Sequence, residues 1–412
     1  MSDILQQIRD LQFSDKSGAE ALLLSFIKEN VPYDVVEIEL TPLAVSLNSF
    51  NGFLTLVDGT RYFFKTHTET DTVIDEYYNA EMLAELGYPV IQPVYKSTEP
   101  GKQLLMYEVI TDESVFDVAW RMESTGDGAV LPALTKAQND ADDELLAFYQ
   151  QSLATQSAKE ASKSPVHQLF YHRLTGGRLD RFYADEREIR LPDGTHALAS
   201  VRNKTWIINE QVYDETLNDI IQRAIHLLQP AQPDVAIVGH GDAHNGNVFF
   251  RKDDTPPSML YFDPAFAGKH HPLLDLTKPL FHNVFAMWMY FPQEKTASTQ
   301  ISMQQSDTTI KVAYEYALPA VRHMFLDSKI ERTLIPILRQ LKAENQLRED
   351  WQAYIKASLF CCPFLTMNLA DNAKFPLEIS LLGLAMSVEM GSESKNVRSL
   401  IDQKLDTVAD AI

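Results

Sequence analysis

The chain has only two cysteines, Cys361 and Cys362, and they are adjacent. Neighbouring side chains on a helix point in different directions, so geometry disfavours a disulfide between them, and no zinc-type spacing exists. This is the usage of a reduced, cytoplasmic chain. Long apolar runs are missing too. The most apolar stretch, 281–291, is too short to span a bilayer and contains His282 and Asn283. It reads as a buried helix. Positive charge is scarce: 36 Lys and Arg stand against 57 Asp and Glu, a net charge of −21. Such a surface repels phosphate backbones and anionic lipids, which argues against nucleic acid and membrane as partners. It suits a cationic small molecule, although acidity also serves solubility. The opening residues Met1-Ser2-Asp3-Ile4 show no basic region followed by an apolar run, so no secretory leader is expected.

What is present is ample core material: 412 residues, 45% hydrophobic and 23% charged. That length exceeds what one core usually serves, so two lobes are expected, with boundaries at 1–110 and 111–412. In the first, residues 1–31 read as helical. Residues 53–65 read as a hairpin around Asp58-Gly59, 72–86 as a helix stopped by Gly87, and 89–97 and 102–110 as strands. In the second, 111–160 reads as mostly helical, with 124–130 a turn and the acidic run 135–144 a solvated approach to a helix near 145–152. Residues 157–165 read as a polar break, 188–209 as a β excursion and 213–228 as a helix. From 281 onwards the chain reads as helical, broken or kinked at Pro319, Pro336, Pro363 and Pro376.

The chemistry concentrates in 235–276. A short apolar strand, 235–238, delivers His240-Gly241-Asp242 into a loop. Asn247 follows five residues after Asp242, and a second strand, 259–262, ends at Asp263. Two carboxylates and an amide placed this way can converge on one point. That is the equipment of phosphoryl transfer, in which a carboxylate positions a hydroxyl and hard oxygens hold Mg²⁺ against phosphates.

The pattern His-Gly-Asp, Asn at +5 and a strand ending in Asp resembles the Brenner-type motif of aminoglycoside phosphotransferases, choline kinases and related small-molecule kinases. The resemblance covers roughly 40–280. It implies an α+β, two-lobed, protein-kinase-like fold, with a small β-rich N-lobe and a larger, mostly helical C-lobe. It implies ATP and Mg²⁺ as cofactors, Asp242 as catalytic base or hydroxyl positioner, His240 as an orienting residue of that loop, and Asn247 and Asp263 as metal ligands. Asp275 would brace the catalytic loop. Lys65, directly after the first hairpin, would grip the nucleotide phosphates. Glu76 would be its partner, because it falls nearer the side of the helix marked by Met82, Leu83 and Leu86 than Glu81 or Glu85 does. Met106 would lie behind the adenine, with the carbonyl of Tyr107 and the amide of Val109 bonding its edge. The phosphate-covering loop would be 45–53, where only Gly52 gives close backbone access.

Gly241 stands where protein kinases carry an arginine, and Pro264 where they carry a phenylalanine. About a dozen residues separate Asp263 from Asp275, too few for a peptide platform. A small hydroxyl-bearing acceptor is therefore expected, in a helical pocket drawn from 113–185 and 280–400. Net charge tilts its identity towards an amine. Arg173, Arg178 and Arg181 admit two readings, an anionic substrate group or pairing with the acidic surface. Two rival functions stand beside the kinase: a metal-dependent hydrolase using Asp242, His244, Asp263 and His271, and a nucleotide-binding scaffold without turnover.

Overall fold

The computed structural model describes all residues except 1–3, 13, 42–48, 68–72, 98, 100, 101 and 103. The chain forms two compact units, 1–112 with 260–265, and 113–259 with 266–412. The α+β class read from the sequence holds: one five-stranded sheet with three helices forms the first unit, and helices dominate the second.

In the first unit, α1 (Ile4–Leu11) and α2 (Lys16–Asn30) precede β1 (Val35–Leu40), β2 (Ser49–Leu56) and β3 (Arg61–His67). Then come α3 (Val73–Leu86), β4 (Tyr95–Ser97) and β5 (Leu104–Glu108). The expected single helix over 1–31 is two, because Asp15 caps a new start by accepting the backbone N–H of Gly18. The five strands form one antiparallel sheet in the order β1-β2-β3-β5-β4. Gly59, with φ +85°, turns the β2–β3 hairpin as Asp-Gly predicts. Of the strand expected over 89–97, only Tyr95–Ser97 pairs in the sheet, while Val90 bridges in parallel to Tyr261. Leu23, Ile27, Leu54, Phe64, Leu104 and Met106 bury against one another between sheet and α2. Each such side chain contributes about 1.5–3 kcal/mol on removal from water.

The second unit opens with α4 (Val115–Thr125), α5 (Leu131–Ser152), β6 (Ala154–Gln156), α6 (Ala158–Ala161), α7 (Tyr171–Thr175) and α8 (Arg178–Tyr183). The acidic run 135–144 is not a solvated approach but lies inside α5. Asp142 is fully buried there and pairs with Lys329 and the Ser328 hydroxyl. Nor is 157–165 merely a break, since Ser157 and Glu160 close a capping box on α6. Next come β7 (Glu188–Leu191), β8 (Gly194–Ala197), α9 (Leu198–Arg202), β9 (Thr205–Ile208), β10 (Gln211–Tyr213) and α10 (Leu217–Leu227). The β excursion thus contains a helix, and the helix expected from Tyr213 begins four residues later.

The central segment runs through β11 (Asp234–Gly239), β12 (Val248–Arg251), β13 (Ser258–Tyr261) and β14 (Gly268–His270) into α11 (Pro272–His282). Then follow α12 (Met287–Tyr290), α13 (Pro292–Ser298), β15 (Gln300–Gln305) and β16 (Thr309–Glu315). The last two form a hairpin where only helix was expected. β16 pairs in parallel with β9, giving the order β10-β9-β16-β15. Its alternating burial, with Ile310 and Val312 inside and Lys311 and Ala313 exposed, is a period-two signal. The chain ends in α14 (Ala320–Lys329), α15 (Ile335–Ala343), α16 (Trp351–Leu365), α17 (Leu377–Gly391) and α18 (Leu400–Ala411). Pro319 and Pro376 precede helices, whereas Pro363 lies within α16. The buried helix read over 281–291 is instead the end of α11 and the short α12, and Phe281 and Val284 to Met289 are all buried. Among the described residues no helix is long and apolar enough to cross a membrane.

Candidate active site

In the second unit β11 is held between β14 and β6, and its C-terminal end delivers His240-Gly241-Asp242. Gly241 takes φ +79°, and a Cβ there would stand 2.3 Å from the Phe266 carbonyl oxygen. Only glycine satisfies both constraints. Its backbone N–H donates to Asp275 Oδ1 at 2.5 Å. Asp275 is buried on the first turn of α11 and also accepts from His270 Nε2 at 3.0 Å and from the Tyr149 hydroxyl. Burial pushes the Asp275 pKa up, but the His270, Tyr149 and Gly241 donors outweigh it and hold the carboxyl below its ordinary value. The group is therefore an ionised brace.

His240 is buried, and its Nδ1 accepts the Asp242 N–H at 3.4 Å. The Asp242 carbonyl accepts twice, from the His244 N–H at 2.8 Å and from Asn247 Nδ2 at 2.9 Å. Asn247 closes a 3-10 turn, and the His244 side chain caps that turn by accepting the Gly246 N–H at 3.1 Å. The amide nitrogen of Asn247 is thus committed to the loop, which orients its amide oxygen. The Asp242 side chain is 15% exposed. Its Oδ1 is buried with no hydrogen-bond partner.

A lysine not singled out from the sequence stands beside it. Lys278 is buried on α11, three residues after Asp275, with Nζ 3.8 Å from Asp242 Oδ1. Nζ also donates to His282 Nε2 at 3.3 Å, and His282 Nδ1 lies 2.7 Å from the Tyr290 hydroxyl. Burial, reinforced by Arg173 and opposed by Asp242, holds the Lys278 pKa below its ordinary value. Burial first, then the Lys278 charge, presses the His282 pKa far down, so its ring is neutral. The signal was in the sequence: Asp275, Lys278 and His282 repeat at i, i+3 and i+7, one face of a helix.

In the first unit, Asp263 lies two residues past the end of β13, whose Tyr261 is clamped to Pro89 and Ile91 by backbone hydrogen bonds of 2.7 and 2.9 Å. Asp263 adopts φ +53°, sparsely populated for a residue with a Cβ. Strain of this kind concentrates at functional positions. Lys65 Nζ donates to Asp263 Oδ1 at 3.1 Å, so the expected phosphate-gripping lysine and the expected metal ligand meet directly. Asn79 on α3 donates to the Pro264 carbonyl at 3.2 Å. Glu76 lies in α3, and its side chain is outside the described residues. The ladder of β4 with β5 covers Leu104–Met106 and stops one residue before Tyr107. Val109 lies just past the strand. Of the proposed phosphate loop 45–53, residues 45–48 lie outside the described residues. Gly52 departs from its expected role: a Cβ there would stand 2.1 Å from the Glu39 carbonyl oxygen, so its bareness serves the packing of β2 on β1.

Of the hydrolase set, Asp242 and His244 approach to 3.9 Å, but His271 is committed elsewhere. His271 caps α11 by accepting the Leu273 N–H, packs on Tyr354 and has Asp234 as its nearest carboxylate, at 3.9 Å. Among the described residues no group of three or more His, Cys, Asp or Glu side chains is placed to hold a metal ion. The donors proposed for Mg²⁺ are instead hard oxygens, the Asp263 carboxylate and the oriented Asn247 amide oxygen, a chemistry that fits magnesium.

No family model matches the chain, and no curated protein matches it. Solved structures do. One is a thermostable mutant of aminoglycoside phosphotransferase APH(4)-Ia with ADP and hygromycin B, at 9% identity over 91% of this chain and 99% of that one, TM-score 0.47. Another is amicoumacin kinase hAmiN with AMP-PNP, Ca²⁺ and Ami, at 14% identity over 100% and 94%, TM-score 0.43. A third is macrolide 2'-phosphotransferase MphH from Brachybacterium faecium, at 11% identity over 93% and 100%, TM-score 0.40.

Proposed function

We propose that the protein is an ATP- and Mg²⁺-dependent kinase that phosphorylates a hydroxyl of a small molecule. The observation that carries the reading is the state of Asp242. Its loop is braced by the ionised Asp275, its backbone is fixed by His240 and Asn247, and its buried Oδ1 has no hydrogen-bond partner. A buried carboxylate oxygen without a donor is costly unless a ligand supplies one. An acceptor hydroxyl is such a donor.

In the proposed reaction the acceptor oxygen attacks the γ-phosphorus of ATP in line. The new O–P bond forms as the bond to the bridging oxygen of ADP breaks. Asp242 orients the hydroxyl and takes its proton. Lys65 pairs with phosphate oxygens, with Glu76 as its proposed partner. The Tyr107 carbonyl and Val109 amide bond the adenine edge, while Asn247 and Asp263 would hold the metal. Magnesium, when bound, neutralises charge developing on the phosphates. Little covalent work is required of the chain, and accurate placement of a few oxygens and one lysine suffices.

The test is Asp242→Asn. The variant keeps the shape of the side chain and removes its ability to accept a proton. AMP-PNP should raise its unfolding midpoint as it does in wild type, while slow ADP release from ATP, with water as acceptor, should fall by about 10²-fold or more. ADP release at the wild-type rate would remove Asp242 from this role.

A further inference from the structure

Within the second unit Asp242 faces Lys278 at 3.8 Å, and Arg173 acts on both Lys278 and its neighbour His282, against the trend of a chain with net charge −21. Lys278 is 3% exposed, and its nearest carboxylate is Asp242, at 3.8 Å. That separation exceeds a hydrogen bond, and Asp242 Oδ1 has no hydrogen-bond partner. Arg173 on α7 donates Nη1 to the Thr366 hydroxyl at 3.2 Å, and its buried Nε donates to nothing. Arg178 donates Nη1 to the Leu365 carbonyl at 3.1 Å. Among the described residues no carboxylate pairs with Arg173, Arg178 or Arg181, although acids outnumber bases 57 to 36. The two readings left open by the sequence therefore separate, because these arginines do not neutralise the acidic surface.

The electrostatics agree. Burial, then Arg173 and Arg181, holds the Arg178 pKa down at about 10. Arg173 likewise lowers the pKa values of Lys278 and His282. Like charges are crowded between α7, α8, α11 and the end of α16. Partly buried cations without a counter-charge, as Arg173 and Arg178 are, cost stability unless a ligand supplies one, and Lys278 has only Asp242, at 3.8 Å. His282 is neutral and adds no charge, and Tyr290 offers a hydroxyl. An ammonium group arriving here would be repelled.

We propose that Arg173 and Lys278 form an anion subsite beside Asp242, and that the acceptor is a hydroxyl compound bearing a carboxylate or phosphate. The proposal rests on the kinase reading for the word acceptor, but the subsite itself can be tested without it. It also reverses the tilt towards an amine, which was drawn from whole-chain charge. Local charge, not the total, decides what a pocket accepts.

The experiment is thermal unfolding with four probes: inorganic phosphate, malonate, choline, and sodium chloride at matched ionic strength. Each is run with and without saturating Mg²⁺ and AMP-PNP, on wild type, Arg173→Gln and Arg173→Lys. Phosphate or malonate should raise the wild-type midpoint above the chloride control while AMP-PNP is bound. In Arg173→Gln the concentration for half the rise should increase at least tenfold. Arg173→Lys, which keeps the charge, should recover most of the effect. A rise with phosphate alone assigns a phosphate-bearing acceptor, and one with malonate alone a carboxylate. If choline raises the midpoint instead, the subsite is wrong. It is equally wrong if the anions act identically on Arg173→Gln, or if AMP-PNP abolishes their effect, since they would then be occupying the donor's phosphate site. AMP-PNP failing to shift wild type while the anions do would sink the kinase reading and leave the anion subsite standing.

Discussion

Asp275 accepts the backbone N–H of Gly241 at 2.5 Å, across 34 residues of sequence. The bond ties the loop that carries Asp242 to the first turn of α11. The same helix carries Lys278, so one element sets both the backbone and the electrostatic surroundings of the proposed base. Removing the carboxylate with Asp275→Ala strips the acceptor from Gly241, His270 and Tyr149 together. We expect a loss of about 3–5 kcal/mol in denaturant unfolding, with no ADP release. A loss below about 1 kcal/mol would mean the brace is dispensable.

Gly241→Ala tests the loop by a different route. The substitution demands positive φ from alanine and puts a methyl group 2.3 Å from the Phe266 carbonyl oxygen. The expected cost is about 1–3 kcal/mol from backbone strain alone, with nucleotide-dependent turnover lost. Normal stability with normal turnover would show that the loop has another conformation available.

Two buried groups give opposite pH dependences. Burial lowers the His271 pKa to about 4, despite the pull of Asp234. Between that value and the ordinary histidine range near 6.5, the unfolded chain binds the proton that the folded chain refuses, so stability falls as pH drops through that window. Glu389 is the reverse. Burial raises its pKa to about 7, although the Tyr314 hydroxyl and Lys356 oppose this. The folded chain holds that proton from the ordinary carboxylate range up to about 7, so this contribution is full below the window and lost as pH rises through it. Denaturation midpoints measured from pH 4 to 8 should therefore lose part of their acid sensitivity in His271→Gln, the rest belonging to His167 and His282, whose pKa values burial also lowers, and lose their decline towards pH 7 in Glu389→Gln. Parallel curves for wild type and either variant would contradict the assignment for that residue.

Much of the proposed site was legible because its logic is local. Strand, turn glycine, carboxylate and amide lie within thirteen residues, Asp234 excepted, and hydrophobic runs mark the strands on either side. The Asp58-Gly59 hairpin was legible for the same reason. What was missed depended on distant parts of the chain. The acidic run 135–144 looked solvated because Asp142 finds its partner, Lys329, 187 residues later. The β15–β16 hairpin hid inside a helical composition because its pairing with β9 is long-range. Gly52 seemed to await a ligand, but the surface it approaches is β1. Lys278 was overlooked although its helical spacing from Asp275 was available. Its importance lies in proximity to Asp242, which only the folded chain reveals.

The most direct test of the account is thermal unfolding with Mg²⁺ and ATP, comparing wild type, Asp263→Ala and Lys65→Ala. Ligand that binds only the folded state stabilises by mass action, about 2.7 kcal/mol at a hundredfold excess over Kd. The account predicts a magnesium-dependent rise in the wild-type midpoint that shrinks in both variants, since Lys65 and Asp263 meet at the place assigned to the phosphates and the metal. No rise in wild type at millimolar ATP, or an equal rise in all three proteins, would contradict it.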